Sequence, residues 1–303
     1  MVLLIFCALI ISYRDSNSQE IPAGALFVAA PDDCGFDPGF GDSTLYRIDP
    51  ATGVSTVIGP IGFAGVSGLA FLPDGRLVGS AEADEAGTRV AVLIDINPFT
   101  GQGNLIAEIG REGNPNECGR VLDLTYYSGQ DKLYGWGDAC PGGLDSLVEI
   151  NTNTGQGTII GPIGFNGFEA ALAIRDDGAL FGVNIFNLIS IDRNTGQGTF
   201  LTNTSSLFNA LDFNPITGIL FGSVLNSPSD RLLATLNTGD GSDEIIAELP
   251  VCSDALVFTP FVLSGPASIP AISEWGMMIF AGVLGVIALF FASRRKSVLA
   301  DRK

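Results

Sequence analysis

The 303-residue sequence predicts an all-β protein: a five-bladed β-propeller of four-stranded antiparallel blades, its ring closed by both ends of the chain, followed by one C-terminal transmembrane helix. Three observations lead there. A unit of four short, alternating apolar segments recurs along the chain. Two orphan strand-like segments at the ends of the array make up one further unit between them. A long apolar run without charge stands near the C-terminus.

Taken in order, the N-terminal stretch Val2 to Ile11 has the apolar character of a secretory signal, although the usual basic start is missing. Small residues at Ser16 and Ser18 permit cleavage before Gln19, which makes residues 1–18 a signal-like segment. Phe6 ahead of Cys7 argues against a lipid attachment site.

The repeat domain is expected over residues 22–260. Thr-Gly pairs stand at Thr52-Gly53, Thr100-Gly101, Thr154-Gly155, Thr195-Gly196 and Thr238-Gly239, at spacings of 48, 54, 41 and 43 residues. Each lies between two alternating apolar segments, as in "LVEINTNTGQGTIIGPIGF", which is a hairpin pattern. A second hairpin precedes most of them, with turns at Asp74-Gly75, Asp177-Gly178 and Thr217-Gly218. Four strands, a to d, at a period of roughly 40–55 residues suit a propeller blade. A solenoid or a pair of sandwiches is the competing architecture. The first unit lacks strand a and begins with strand b at Ala25 to Ala30; Asp254 to Phe258 is a strand a with nothing after it. Joined, they complete the fifth blade.

The cysteines follow this register. Cys118 and Cys140 fall just before strand a and just after strand b of blade three; Cys252 and Cys34 occupy the same two places in the shared blade. The ends of antiparallel neighbours meet, so the pairs Cys118–Cys140 and Cys34–Cys252 are expected, oxidised in an exported protein.

Composition narrows the function. Net charge is −18, and there is no histidine. Ser-His-Asp and Cys-His catalysis are excluded, and a typical zinc or iron site is disfavoured. The acidic balance argues against nucleic acid. The connections expected to be long are Pro31–Thr44, Ser80–Arg89, Gly110–Arg120 and Asp138–Ser146, all on the d–a/b–c face, where binding is expected. Acids gather there, and Asp32, Asp33, Asp37 and Asp42 are the candidate cation ligands. Calcium is the one cofactor such oxygen ligands suggest; a plain solvated surface is the favoured alternative, with no cofactor and no resident metal. Asp49, Asp95 and Asp192 are expected to cap turns, not to catalyse.

After a linker over residues 261–274 comes the apolar run, read as a transmembrane helix over 275–293. Arg294, Arg295 and Lys296 open a basic tail over 294–303 that is expected to stay cytoplasmic, leaving the propeller outside. The segment "IPAISEWG" with its span and basic end resembles the IPTL-CTERM sorting signal, a relative of PEP-CTERM. Ile269, Pro270, Ser273, Glu274, Trp275 and Gly276 match the pattern, while Ala271 and Ile272 depart from it. The resemblance implies export, transient anchoring in the inner membrane, processing by an exosortase-like enzyme, and arrival at the surface or matrix of a Gram-negative cell. The expected role is a non-catalytic binding, adhesion or matrix module. The alternatives are a propeller hydrolase or lyase built on carboxylates, and a purely structural envelope protein.

Overall fold

Short segments in which apolar and polar residues alternate, separated by turn residues, can bury one another only by stacking sheets face to face. A computed structural model of the chain shows how. It describes residues 20–31, 41–85, 87–167, 170–227, 230–249 and 252–265. The signal-like segment 1–18, Cys34 and Asp32, Asp33 and Asp37 lie outside these. So do the sorting motif from Ile269 to Gly276, the span 275–293 and Arg294, Arg295 and Lys296.

Glu20–Leu263 form one compact unit. It contains five four-stranded antiparallel sheets. Blade one joins β21 (Ala255–Phe258) to β2 (Leu26–Pro31), β3 (Asp42–Ile48) and β4 (Ser55–Ala64). Blade two is β5 (Gly68–Phe71), β6 (Leu77–Glu85), β7 (Thr88–Ile96) and β8 (Gly103–Arg111). Blade three is β9 (Arg120–Tyr127), β10 (Lys132–Asp138), β11 (Ser146–Ile150) and β12 (Gly157–Pro162). Blade four is β13 (Ala170–Ile174), β14 (Leu180–Asn184), β15 (Asn187–Ile191) and β16 (Gly198–Asn203). Blade five is β17 (Phe208–Phe213), β18 (Leu220–Ser227), β19 (Asp230–Leu236) and β20 (Asp243–Leu249). A two-stranded ribbon pairs β1 (Glu20–Ile21) with β22 (Leu263–Ser264).

The first strand of every blade is innermost, and β5, β9, β13, β17 and β21 neighbour one another in that cyclic order. Ring closure is as the orphan segments require: Leu26 pairs with Phe258 and Ala29 with Ala255. Five apolar clusters fill the five blade interfaces. Phe27 packs edge-on against Phe71 between blades one and two, and Phe221 against Phe258 between blades five and one.

Three expectations are corrected. The connection Ser80–Arg89 is mostly ladder, because Ala81 and Ala83 alternate with charged neighbours; pairing runs on to Glu85 opposite Thr88. Asp95 sits inside β7 opposite Val78, and the turn is capped instead by Asn97, whose Oδ1 accepts the N–H of Phe99. In blade five the turn glycine is Gly241, two residues beyond Thr238-Gly239. Its N–H bonds the Asn237 carbonyl just as Gly53 bonds Asp49.

Candidate functional site

Antiparallel order puts the a–b and c–d turns on one face and the b–c and d–a connections on the other. On the connection face, Cys118 and Cys140 are bonded, with Cα atoms 4.0 Å apart, at the start of β9 and the end of β10. Cys252 is also in disulfide form; its expected partner Cys34 lies outside the described residues.

The acids of this face are largely engaged with arginines. Arg120 lies 3.0 Å from Glu82 and 3.1 Å from Asp138, both partly buried. Arg111 meets Glu85 at 2.9 Å and Glu108 at 3.0 Å. Asp145 is buried and accepts the Trp136 indole N–H at 3.0 Å and the Gly167 N–H at 3.2 Å. Burial pushes its carboxyl above the usual range, and the indole bond opposes that. Asp42, the described member of the candidate cation set, opens β3 as an exposed residue. Among the described residues no three carboxylate or cysteine groups gather as a metal would need.

A cavity lies on the opposite, turn face. It has a volume of about 260 Å³ and opens where the ends of all five inner strands converge. Pro73, Ser128, Asp176, Pro215 and Pro260, one from each blade's turn or exit, form its rim. Leu69, Tyr126, Phe213 and Phe261 contribute to the wall. Asp212 of β17 also lines it and keeps part of its surface exposed.

The backbone explains why Asp212 is there. The inner edge of each first strand has no ladder partner, so its N–H groups need other acceptors. Asp212 Oδ1 accepts from the Phe213 N–H at 2.9 Å, and Oδ2 accepts from the Phe258 N–H of the next blade at 2.7 Å. Thr125 does the same for Ile174 at 3.1 Å. At another level Asp123, fully buried, accepts from Leu124 and Leu172, each at 2.8 Å. Burial raises the Asp212 carboxyl to about 7, against the lowering effect of its two N–H donors. Burial also raises the Asp123 carboxyl well above the ordinary value, and the nearby Asp212 adds to it.

Aligning the five inner strands puts Ala70, Thr125, Ala173, Asp212 and Val257 at one position. A carboxylate among small and apolar residues is the signal that would have found this site from sequence.

No family model and no curated protein matches the chain. Among solved structures, a chain of the nidogen/laminin complex is similar at 11% identity and a TM-score of 0.50, over 75% of this chain and 80% of that one. A gluconolactonase from Xanthomonas campestris aligns at 13% identity and a TM-score of 0.47, over 81% and 94%. TolB from Acinetobacter baumannii aligns at 19% identity and 0.42, over 74% of this chain and 53% of its own. At 11% identity the likeness to the nidogen/laminin chain is one of fold alone.

Proposed function

We propose that this is an exported propeller, tethered by a C-terminal span and sorted to the cell surface or matrix, where it acts as a non-catalytic binding or adhesion module. The observation that carries the reading is the Cys118–Cys140 disulfide on an acidic, closed ring. Structural disulfides persist in oxidising compartments and are reduced in the cytosol. The sorting-like motif from Ile269 to Gly276 and the basic residues Arg294, Arg295 and Lys296 supply the route in this proposal. An exosortase-like enzyme is the processing partner. The connection face keeps its own more open groove of about 550 Å³, lined by Pro115, Glu117, Leu144, Ile159 and Pro162, as a place for a larger partner.

The test is expression of the full chain in a Gram-negative host, followed by fractionation, intact-mass analysis and non-reducing peptide mapping. The expected result is envelope or released protein with linked Cys118 and Cys140 peptides, shortened at both ends. Reduced, full-length protein confined to the cytoplasm overturns the reading.

One observation favours a second reading. Asp212 titrates near neutrality on the wall of a pocket, which suits a general acid or base of a hydrolase. Turnover of chromogenic ester or glycoside substrates, abolished in Asp212→Asn, would support that reading over simple binding.

A further inference from the structure

The axial pocket combines two acids with aromatic and aliphatic walls, and Asp212 brings its negative charge once the pH is above about 7. Each Asp212 oxygen accepts a single N–H, so each retains acceptor capacity, and the residue is one of those that line the pocket. Asp176 at the rim adds a second acid and lies close enough to act on Asp212. Arg175, the cation among the lining residues, has its charge compensated elsewhere. It grips Asp177 through Nε at 3.1 Å and Nη2 at 2.7 Å, and its guanidinium lies 5.4 Å from the centroid of the Phe181 ring. Tyr126, Phe213 and Phe261 line the cavity and remain partly exposed. The Tyr126 hydroxyl donates to Asp131, so its polar end is already occupied.

We infer that this pocket binds a compact organic cation with apolar substituents, of the quaternary or hindered ammonium class, with its positive centre toward Asp212 and its alkyl groups against the aromatic wall. An anion would meet two carboxylates. A neutral apolar molecule would strip water from Asp212 and return no polar contact. A bare divalent ion needs several oxygen ligands, and among the described residues no three acids converge. An alkylated ammonium group meets both demands, since aromatic faces and a carboxylate each attract it. The inference deepens the reading of the propeller as a binding module and rests on it.

The test uses the full chain in maltoside micelles at about pH 8.5, where Asp212 is ionised, titrated calorimetrically with choline and with its uncharged isostere 3,3-dimethyl-1-butanol. Choline is expected to bind at least about tenfold more tightly than the alcohol, a difference of about 1.4 kcal/mol. Asp212→Asn, close to isosteric, is expected to erase that preference. Asp176→Asn, at an exposed rim position, weakens choline several-fold while leaving the melting temperature unchanged. This second variant keeps the test decisive if Asp212→Asn unfolds. Equal affinity for the two probes overturns the inference. So does choline binding that survives both substitutions, or the lack of a signal with either probe at about 10 mM. Export is tested separately by fractionation and mass, so a failure here is distinguishable from a failure of that reading.

Discussion

Asp212 and Asp123 are acids doing the work of a missing strand. Each offers carboxyl oxygens to N–H groups of inner strands that no ladder reaches. For Asp212 the consequence is a defined dependence of stability on pH. Below about pH 4 its carboxyl is protonated in both folded and unfolded chains. Between 4 and 7 the unfolded chain releases the proton and the folded one keeps it, given a folded value of about 7. Stability therefore falls across that window, by up to about 1.4 kcal/mol per pH unit, and the loss is complete above 7. Asp212→Asn removes the titration and also one good acceptor, at a constant cost of about 1–2 kcal/mol. The variant is expected to be the less stable protein at about pH 3.5 and the more stable one at about pH 8, where the wild type has lost about 4 kcal/mol. Urea midpoints of the two proteins at both pH values check this. A gap independent of pH would mean that Asp212 ionises as freely as an exposed acid.

At the scale of elements, the c–d turns tie the blades together. The turn glycine of each blade sits against strand d of the blade before it: Gly101 on Gly59, Gly155 on Ala107, Gly196 on Gly161, Gly241 on Asn203, and Gly53 on Ala247. Gly101 has φ +82°, and a Cβ there would run into the Gly59 carbonyl. Gly62 has a similar φ of +76° with open space around it. Gly62→Ala is therefore expected to cost only the conformational strain of about 1–2 kcal/mol. Gly101→Ala adds a backbone clash and is expected to cost clearly more. Thermal melts of the two variants read the difference. The turn motif was legible as Asp/Asn-x-x-Thr-Gly in four blades. The fifth was misplaced by two residues because "NTGDG" contains two glycines, and only the hydrogen bond to Asn237 decides between them. The hairpin of β6 and β7 was hidden for a related reason: its acids resemble a loop, and its alternating alanines resemble a strand.

For the whole molecule, closure is the central property. β21 contributes the inner strand of blade one, and Thr259 is locked to the other end of the chain. Its hydroxyl donates to the Pro22 carbonyl at 2.7 Å, and its own carbonyl accepts the Gly24 N–H at 2.8 Å. A chain ending at Leu249 would open the ring, leave Phe27 and Leu26 without their cover, and is expected to lose cooperative unfolding. A permutant joining Thr259 to Pro22, with new ends between Leu249 and Cys252, is expected to fold. Circular dichroism melts and limited proteolysis distinguish the two outcomes. Reducing Cys118–Cys140, which spans 22 residues, is expected to cost about 3 kcal/mol in the chain-entropy model.

The sequence by itself determined the five-fold repeat, the four strands per blade, the closure by Ala25–Ala30 with Asp254–Phe258, and the Cys118–Cys140 pair. These follow from period, alternation and turn chemistry, all of them local patterns repeated along the chain. Only the tertiary structure decided where a ligand pocket opens. Convergence of five strand ends on one axis is a property of the ring, and it opens a cavity on the turn face, where the sequence pointed only to the long-connection face. It also turned Asp212 from one polar letter in an alternating strand into a half-buried acid on that axis, with its ionisation set by the neighbours that closure brings to it.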